Sequence, residues 1–236
     1  MRFWGPNIEI SGEWIMNSPS RNDDNASKNS DASRFEEETQ AILRKISTNP
    51  VGKAVLDGFT KASHAVTIRP LARGAIGKMR SGPTFPEKAL QTDVGSPGAP
   101  GSGSKATIWF NAGGVTVQGH LYRSDDSLLH ESFHALRQVL GLWRATPLTG
   151  WDNREELYAT MVTNIYASKS GRRSDMRSSH SAAFVTMAQT GDQFSRQFRD
   201  EILDFRTFMF KTYEDISAVQ AGWNPLHAFE SRFWNR

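Results

Sequence analysis

The 236-residue chain contains no cysteine. Disulfides are therefore excluded, and a bound metal would have to be held by histidine and carboxylate rather than thiolate. Lack of cysteine also suits a chain threaded unfolded through a secretion channel. Long apolar runs are missing too: none approaches the ~20 residues of a membrane helix, so no membrane span is expected. Residues 1–15 lack a basic start followed by a continuous apolar stretch, which argues against a Sec signal peptide. An exported protein of this kind would use a specialised secretion system without a cleaved signal. Excess charge of one sign is absent as well. The formal net charge is +3 and the basic residues are scattered, whereas a nucleic-acid surface gathers Lys and Arg on one face. The single local group, Arg172, Arg173 and Arg177, reads as a solvated loop, and no nucleic-acid partner is expected. Internal repeats are also lacking.

Large apolar side chains are plentiful. Seven Trp and fourteen Phe can fill one well-buried domain at this length, and a monomer is expected. Residues 1–33 read as disordered, because Asn17–Ser33 is rich in Ser, Asn and Asp and has little to bury. Such a segment also has the composition of a secretion address. A single domain is expected over residues 34–236. Ser33 with Glu36 forms a capping box, and Phe35, Thr39, Ile42, Leu43 and Ile46 share a helical face. Asn49-Pro50 starts a second helix with Val51, Val55 and Phe59 inward. Val66–Ile68 is a strand candidate.

The Gly/Pro/Ser stretch 81–104 reads as a flexible loop. Ala106–Asn111 and Val115–Val117, around Gly113-Gly114, read as a hairpin. Ile108–Asn111 or Val115–Val117 would accept an extended substrate as an added strand. Helices are expected from Asp126 or Ser127 to about Trp143 and from Asn153 to Ser168. Further helical stripes run through Phe184, Met187 and Phe194, and through Phe198, Ile202, Phe205 and Phe208.

The informative motif is His130-Glu131-Ser132-Phe133-His134, an H-E-x-x-H. One helical turn separates the histidines, so both imidazoles leave one face and can grip one Zn2+ ion. Glu131 stands where its carboxylate can take a proton from water on that ion. Leu129, Phe133, Leu136 and Leu140 recur as an ordinary core stripe, which explains the leucines but not two histidines and a glutamate on the adjoining face. Catalytic zinc takes three protein ligands and leaves a position for water. The metzincin solution is excluded, because no third His follows and Gly141 is out of register. In Asn153-Arg154-Glu155-Glu156-Leu157-Tyr158-Ala159, Glu156 is best placed as the third ligand, with Glu155 or Asp152 as alternatives. An oxyanion would need a donor, and His180, Tyr158 and Tyr166 are candidates. Tyr166 lies about three turns beyond Glu156 on the same side. His64, His120 and His227 have no supporting pattern and read as structural.

On these residues the chain resembles the NleD-type zinc metallopeptidase effectors of type III secretion. The resemblance covers Phe35–Ile68, Leu128–Leu142 and Asn153–His180. It is densest at the H-E-x-x-H, at Asn153–Ala159 and at Thr163-Asn164-Ile165-Tyr166. It implies a zincin-like α+β fold, mainly helical with a small twisted sheet, and a gluzincin-type site. It also implies delivery into a host cell and endoproteolysis of a host signalling protein, such as a kinase. His130, His134 and Glu131 carry over directly, and Glu156 less closely. Two other readings use the same residues: a zinc peptidase toxin directed at competing bacteria, and a non-catalytic interaction protein with a structural or vestigial metal site.

Overall fold

In the computed structural model the described residues are 1–12, 25–70, 82–83, 98–113, 115–117, 120–179, 184–185 and 188–233. They form a mixed α+β fold, mostly helical, around a small sheet. Strands β1 (Arg2–Phe3), β2 (Ile8–Ile10), β3 (Val66–Pro70), β4 (Gly82–Pro83) and β5 (Ala106–Phe110) make that sheet, in the order β1-β2-β3-β5-β4. The three inner strands are parallel, with Ile8 opposite Val66 and Ile10 opposite Ile68, and with Val66 opposite Ala106 and Ile68 opposite Ile108. Alternation places all of these side chains on one buried face, together with Phe110.

Two expectations are corrected by this sheet. Residues 1–33 are not uniformly without structure: Arg2–Phe3 and Ile8–Ile10 are strands, and the first helix, α1, spans Asn25–Thr48. Ser33 therefore lies inside α1 rather than capping it. Glu36 reaches out instead to accept the Gly12 N–H at 3.0 Å. The hairpin is also re-paired. Strand β6 (Val115–Val117) joins β7 (His120–Tyr122), while β5 runs parallel to β3 and antiparallel to β4. Parallel pairing buries Ala106, Ile108 and Phe110 beside the matching residues of β3, which a local hairpin would not do. Strand β5 is consequently paired on both sides at Ile108 and Trp109 and is no open edge there.

Helix α2 (Pro50–Gly58) begins as expected, with the Asn49 side chain accepting from the Val51 N–H at 2.9 Å. The Asn49 amide also donates to the Tyr166 carbonyl at 3.3 Å and to Ser170 Oγ at 3.0 Å. That residue thus joins the start of α2 to the end of α4 (Arg154–Lys169).

The central helix α3 spans Ser124–Val139 and is buried almost throughout, packing on α1, α2, α4 and β5. Both of its ends are fastened. At the start, Asp125 receives the Tyr166 hydroxyl at 3.0 Å and faces Lys45 at 2.9 Å, while Asp126 takes both arms of Arg172 at 2.6 and 2.8 Å. These aspartates sit where the helix dipole favours negative charge. Arg172 is therefore no solvated loop cation.

At the other end Gly141, with φ +70°, closes a Schellman turn. Its N–H bonds to the Gln138 carbonyl, and the Leu142 N–H bonds to the Arg137 carbonyl at 2.7 Å. Residues 98–104, part of the stretch expected to be flexible, pack on this turn. The Gly101 N–H bonds to the Gly141 carbonyl at 2.8 Å, and the Ser104 N–H to that of Gln138 at 3.3 Å. A Cβ on Gly141 would strike the backbone of Gly101. Gly141→Ala is therefore expected to lose about 1–3 kcal/mol of stability, read as a lower urea midpoint.

Beyond α4, β8 (Met176–Arg177) pairs with β9 (Phe184–Val185). Phe184 thus belongs to a strand rather than to the expected helical stripe, and Met187 lies outside the described residues. Helices α5 (Gly191–Gln197), α6 (Arg199–Phe208), α7 (Phe210–Ser217) and α8 (Pro225–Phe233) complete the chain. Phe205 of α6 meets Phe133 of α3 edge-on at 5.4 Å, so these helices close the core beneath the metal motif. No helix among the described residues is long and apolar enough to cross a membrane.

Candidate metal centre

His130 and His134 leave α3 one turn apart, and Glu156 comes from the first turn of α4. Asn153 caps that helix by accepting the Glu156 N–H at 2.9 Å. The preceding chain is held as well, since the Arg154 and Glu155 N–H groups bond to the carbonyls of Thr146 and Arg144. This anchoring delivers the Glu156 carboxylate to the histidines. Its Oε2 lies 3.2 Å from His130 Nε2 and 3.4 Å from His134 Nε2, and the two Nε2 atoms are 3.1 Å apart. The rings stand nearly perpendicular, at 87°. All three ligand-type atoms lie within 4.8 Å of one another, and among the described residues these three form the group able to hold a metal ion. Two imidazole nitrogens and a carboxylate oxygen converging on one point, with no thiolate, fit a divalent cation of the zinc type.

Glu155 and Asp152, the alternative ligands, are not among the three converging residues. Asp152 is exposed. Glu155 is wholly buried, accepts Arg137 Nε on both oxygens at 2.8 and 3.0 Å, and accepts the Arg144 N–H at 3.0 Å. The tyrosines are likewise committed elsewhere. Tyr158 donates to Asp204 at 2.8 Å beneath Arg137, whose guanidinium lies 4.1 Å from its ring centroid. Tyr166 donates to Asp125, about 15 Å along α4 from Glu156 by helical rise. Neither hydroxyl is offered to the metal group. His180 lies outside the described residues.

Arg177 was not foreseen at the site. Its peptide is gripped by Asn164 of α4, which accepts the Arg177 N–H at 2.8 Å and donates to its carbonyl at 2.7 Å. The guanidinium then lies 3.0 Å from His130 Nδ1, in a buried position. The sequence signal was faint: an Asn inside a helix whose amide matches a peptide unit thirteen residues later. Trp143, also unforeseen, stands 5.5 Å from the His134 ring.

The electrostatics follow from this packing. Burial, reinforced by Arg177, pushes His130 down to about 3, so its imidazole is neutral. Burial also opposes a charge on His134, yet the carboxylates of Glu156 and Glu155 outweigh it and hold that group up at about 10. Burial works against an ionised Glu156 too, but the two histidines hold its carboxyl far below the usual range. Glu131 is pushed up to about 8, chiefly by burial. A cation beside it would favour its carboxylate form. Glu156 has 18 % of its side chain exposed, against 6 % for His130 and 2 % for His134, so the group opens to solvent on the Glu156 side.

Comparison with known proteins gives one family. The family model Peptidase_M91, described as "Effector protein", matches residues 22–174. That span runs from before α1 to past α4 and contains His130, Glu131, His134 and Glu156, but stops short of Arg177 and His180. No curated protein and no solved structure matches the chain.

Proposed function

Because the chain belongs to this NleD-type family of effector peptidases, we propose that it is a zinc-dependent endopeptidase that cleaves a host signalling protein after delivery into the host cell. The observation carrying the zinc reading is the convergence of His130, His134 and Glu156 on one point. When bound, zinc supplies Lewis acidity and lowers the pKa of water at the site.

The remaining chemistry belongs to the chain. Glu131, adjacent in sequence to His130 and shielded from bulk water, takes the proton of the attacking water and returns it to the leaving amine. Burial favours that second task, since a carboxyl in an apolar setting holds its proton readily. His180, three residues past Arg177, stays our candidate for stabilising the oxyanion. Of the two strands considered for an extended substrate, β5 is paired on both sides. Strand β6, in a two-stranded ribbon just ahead of α3, is the better platform.

Elemental analysis of purified protein tests the metal reading. We expect one zinc per wild-type chain, and its loss or clear weakening in His134→Ala and in Glu156→Gln. Wild-type protein that takes up no zinc when supplied with it would overturn the peptidase mechanism. Loss in His134→Ala alone would remove Glu156 from the ligand set.

A further inference from the structure

We infer that Glu155 is a positioning residue for the metal centre, fixing the tautomer of His134; this rests on the zinc reading above. Three observations carry it. First, His134 is buried, and among the described residues its Nδ1 makes no hydrogen bond. A buried polar atom without a partner is costly and calls for an explanation. Second, a carboxylate oxygen faces that atom: Glu155 Oε1 stands 3.7 Å from His134 Nδ1, just beyond hydrogen-bonding length. Third, the carboxylate cannot drift away. Both its oxygens are bound by Arg137 from α3, and Oε2 also accepts the backbone N–H of Arg144. Arg137 is itself anchored through Nη2 to the Leu142 carbonyl at 2.6 Å.

Chemistry then assigns the role. A histidine can offer the Nε2 lone pair to a metal only when its proton sits on Nδ1, and an acceptor at Nδ1 fixes that state. An ionised carboxylate is the strongest such acceptor and raises the basicity of the ligand. Adjacent residues therefore divide the work at the start of α4. Glu156 reaches the Nε2 side of the histidines, and Glu155 backs the Nδ1 side of one of them. At His130 Nδ1 the neighbour is the Arg177 guanidinium at 3.0 Å, a donor that has to give way before that nitrogen can carry the proton.

The test measures zinc affinity by competition with a chelator, in wild type and in Glu155→Gln. Glutamine keeps the shape and an oxygen for Arg137 but removes the charge. We expect a folded Glu155→Gln chain whose zinc affinity is about 10–100-fold weaker. A second measurement needs no variant. In zinc-loaded wild type, 15N NMR of the imidazoles should show His134 protonated on Nδ1, with a proton that exchanges slowly with water. Wild type without zinc affinity would sink the metal reading itself. A zinc-binding wild type with an equally tight Glu155→Gln variant, or with a fast-exchanging His134 Nδ1 proton, would overturn the role of Glu155 alone.

Discussion

Glu131→Gln is expected to yield a folded, zinc-loaded protein that cleaves substrate about 10²–10⁴-fold more slowly than wild type, the range that a positioned acid/base supplies. The loss should fall on kcat with KM little changed, because the carboxylate acts on moving protons rather than on substrate binding. Stability should not suffer. Burial raises the Glu131 carboxyl to about 8, so the protein's own groups hold it mostly neutral at pH 7, and glutamine copies that neutral form. None of the three metal-ligand atoms is altered, so zinc content should match wild type. The decisive comparison is zinc per chain, thermal midpoint and cleavage rate on the same preparation. A variant that retains wild-type turnover would remove Glu131 from the mechanism. It would also revive the non-catalytic reading if wild type proved equally inert.

The second large effect concerns stability. Arg137→Met should lower the free energy of unfolding by about 3–5 kcal/mol, because it strands the buried Glu155 charge away from solvent. Arg137 and Glu155 are both fully buried, so neither charge can turn to solvent when the other is removed. The variant also forfeits the bond to the Leu142 carbonyl and the contact with the Tyr158 ring. Against the ~5–15 kcal/mol that holds a typical domain together, this is a severe loss. Adding Glu155→Leu should restore part of it, since apolar pairs often replace buried ion pairs at little cost. Urea unfolding of the single and double variants reads the difference. A single variant as stable as wild type would mean that the pair is not buried in solution. The recovered double variant should still bind zinc weakly, which separates packing from metal holding.

Much of the site was legible in the sequence because its parts obey local rules. The i, i+4 spacing of His130 and His134 follows from helix geometry alone, and so does the placement of Glu131 beside them. Glu156 was favoured over Glu155 because Leu157, Tyr158 and Ala159 follow it, two bulky residues and then a small one that lets its helix pack close, and the structure brings that residue to the histidines. The Asn49-Pro50 cap was legible for the same reason. What escaped depends on partners distant in sequence. Ile8-Glu9-Ile10 is only three residues in polar surroundings, and it becomes a strand because Val66–Ile68 is there to receive it. Ala106–Phe110 matches a nearby hairpin partner and a remote parallel one equally well by pattern, and shared burial selects the remote one. Arg177 looked like one of three loop cations until Asn164 fixed its peptide beside His130. Tyr166 shares a helix side with Glu156, yet its hydroxyl serves the start of α3.

The parallel core of the sheet also sets a tempo. Ile8 must find Val66, and Val66 must find Ala106, before the three strands register. Every one of these meetings closes a long stretch of chain, and pairings of high contact order are slow to form. Helices α1 and α2, by contrast, can coil early from their own residues. Strand pairing is therefore expected to lag behind helix formation, and a chain whose sheet has not yet registered can still be drawn through a narrow passage.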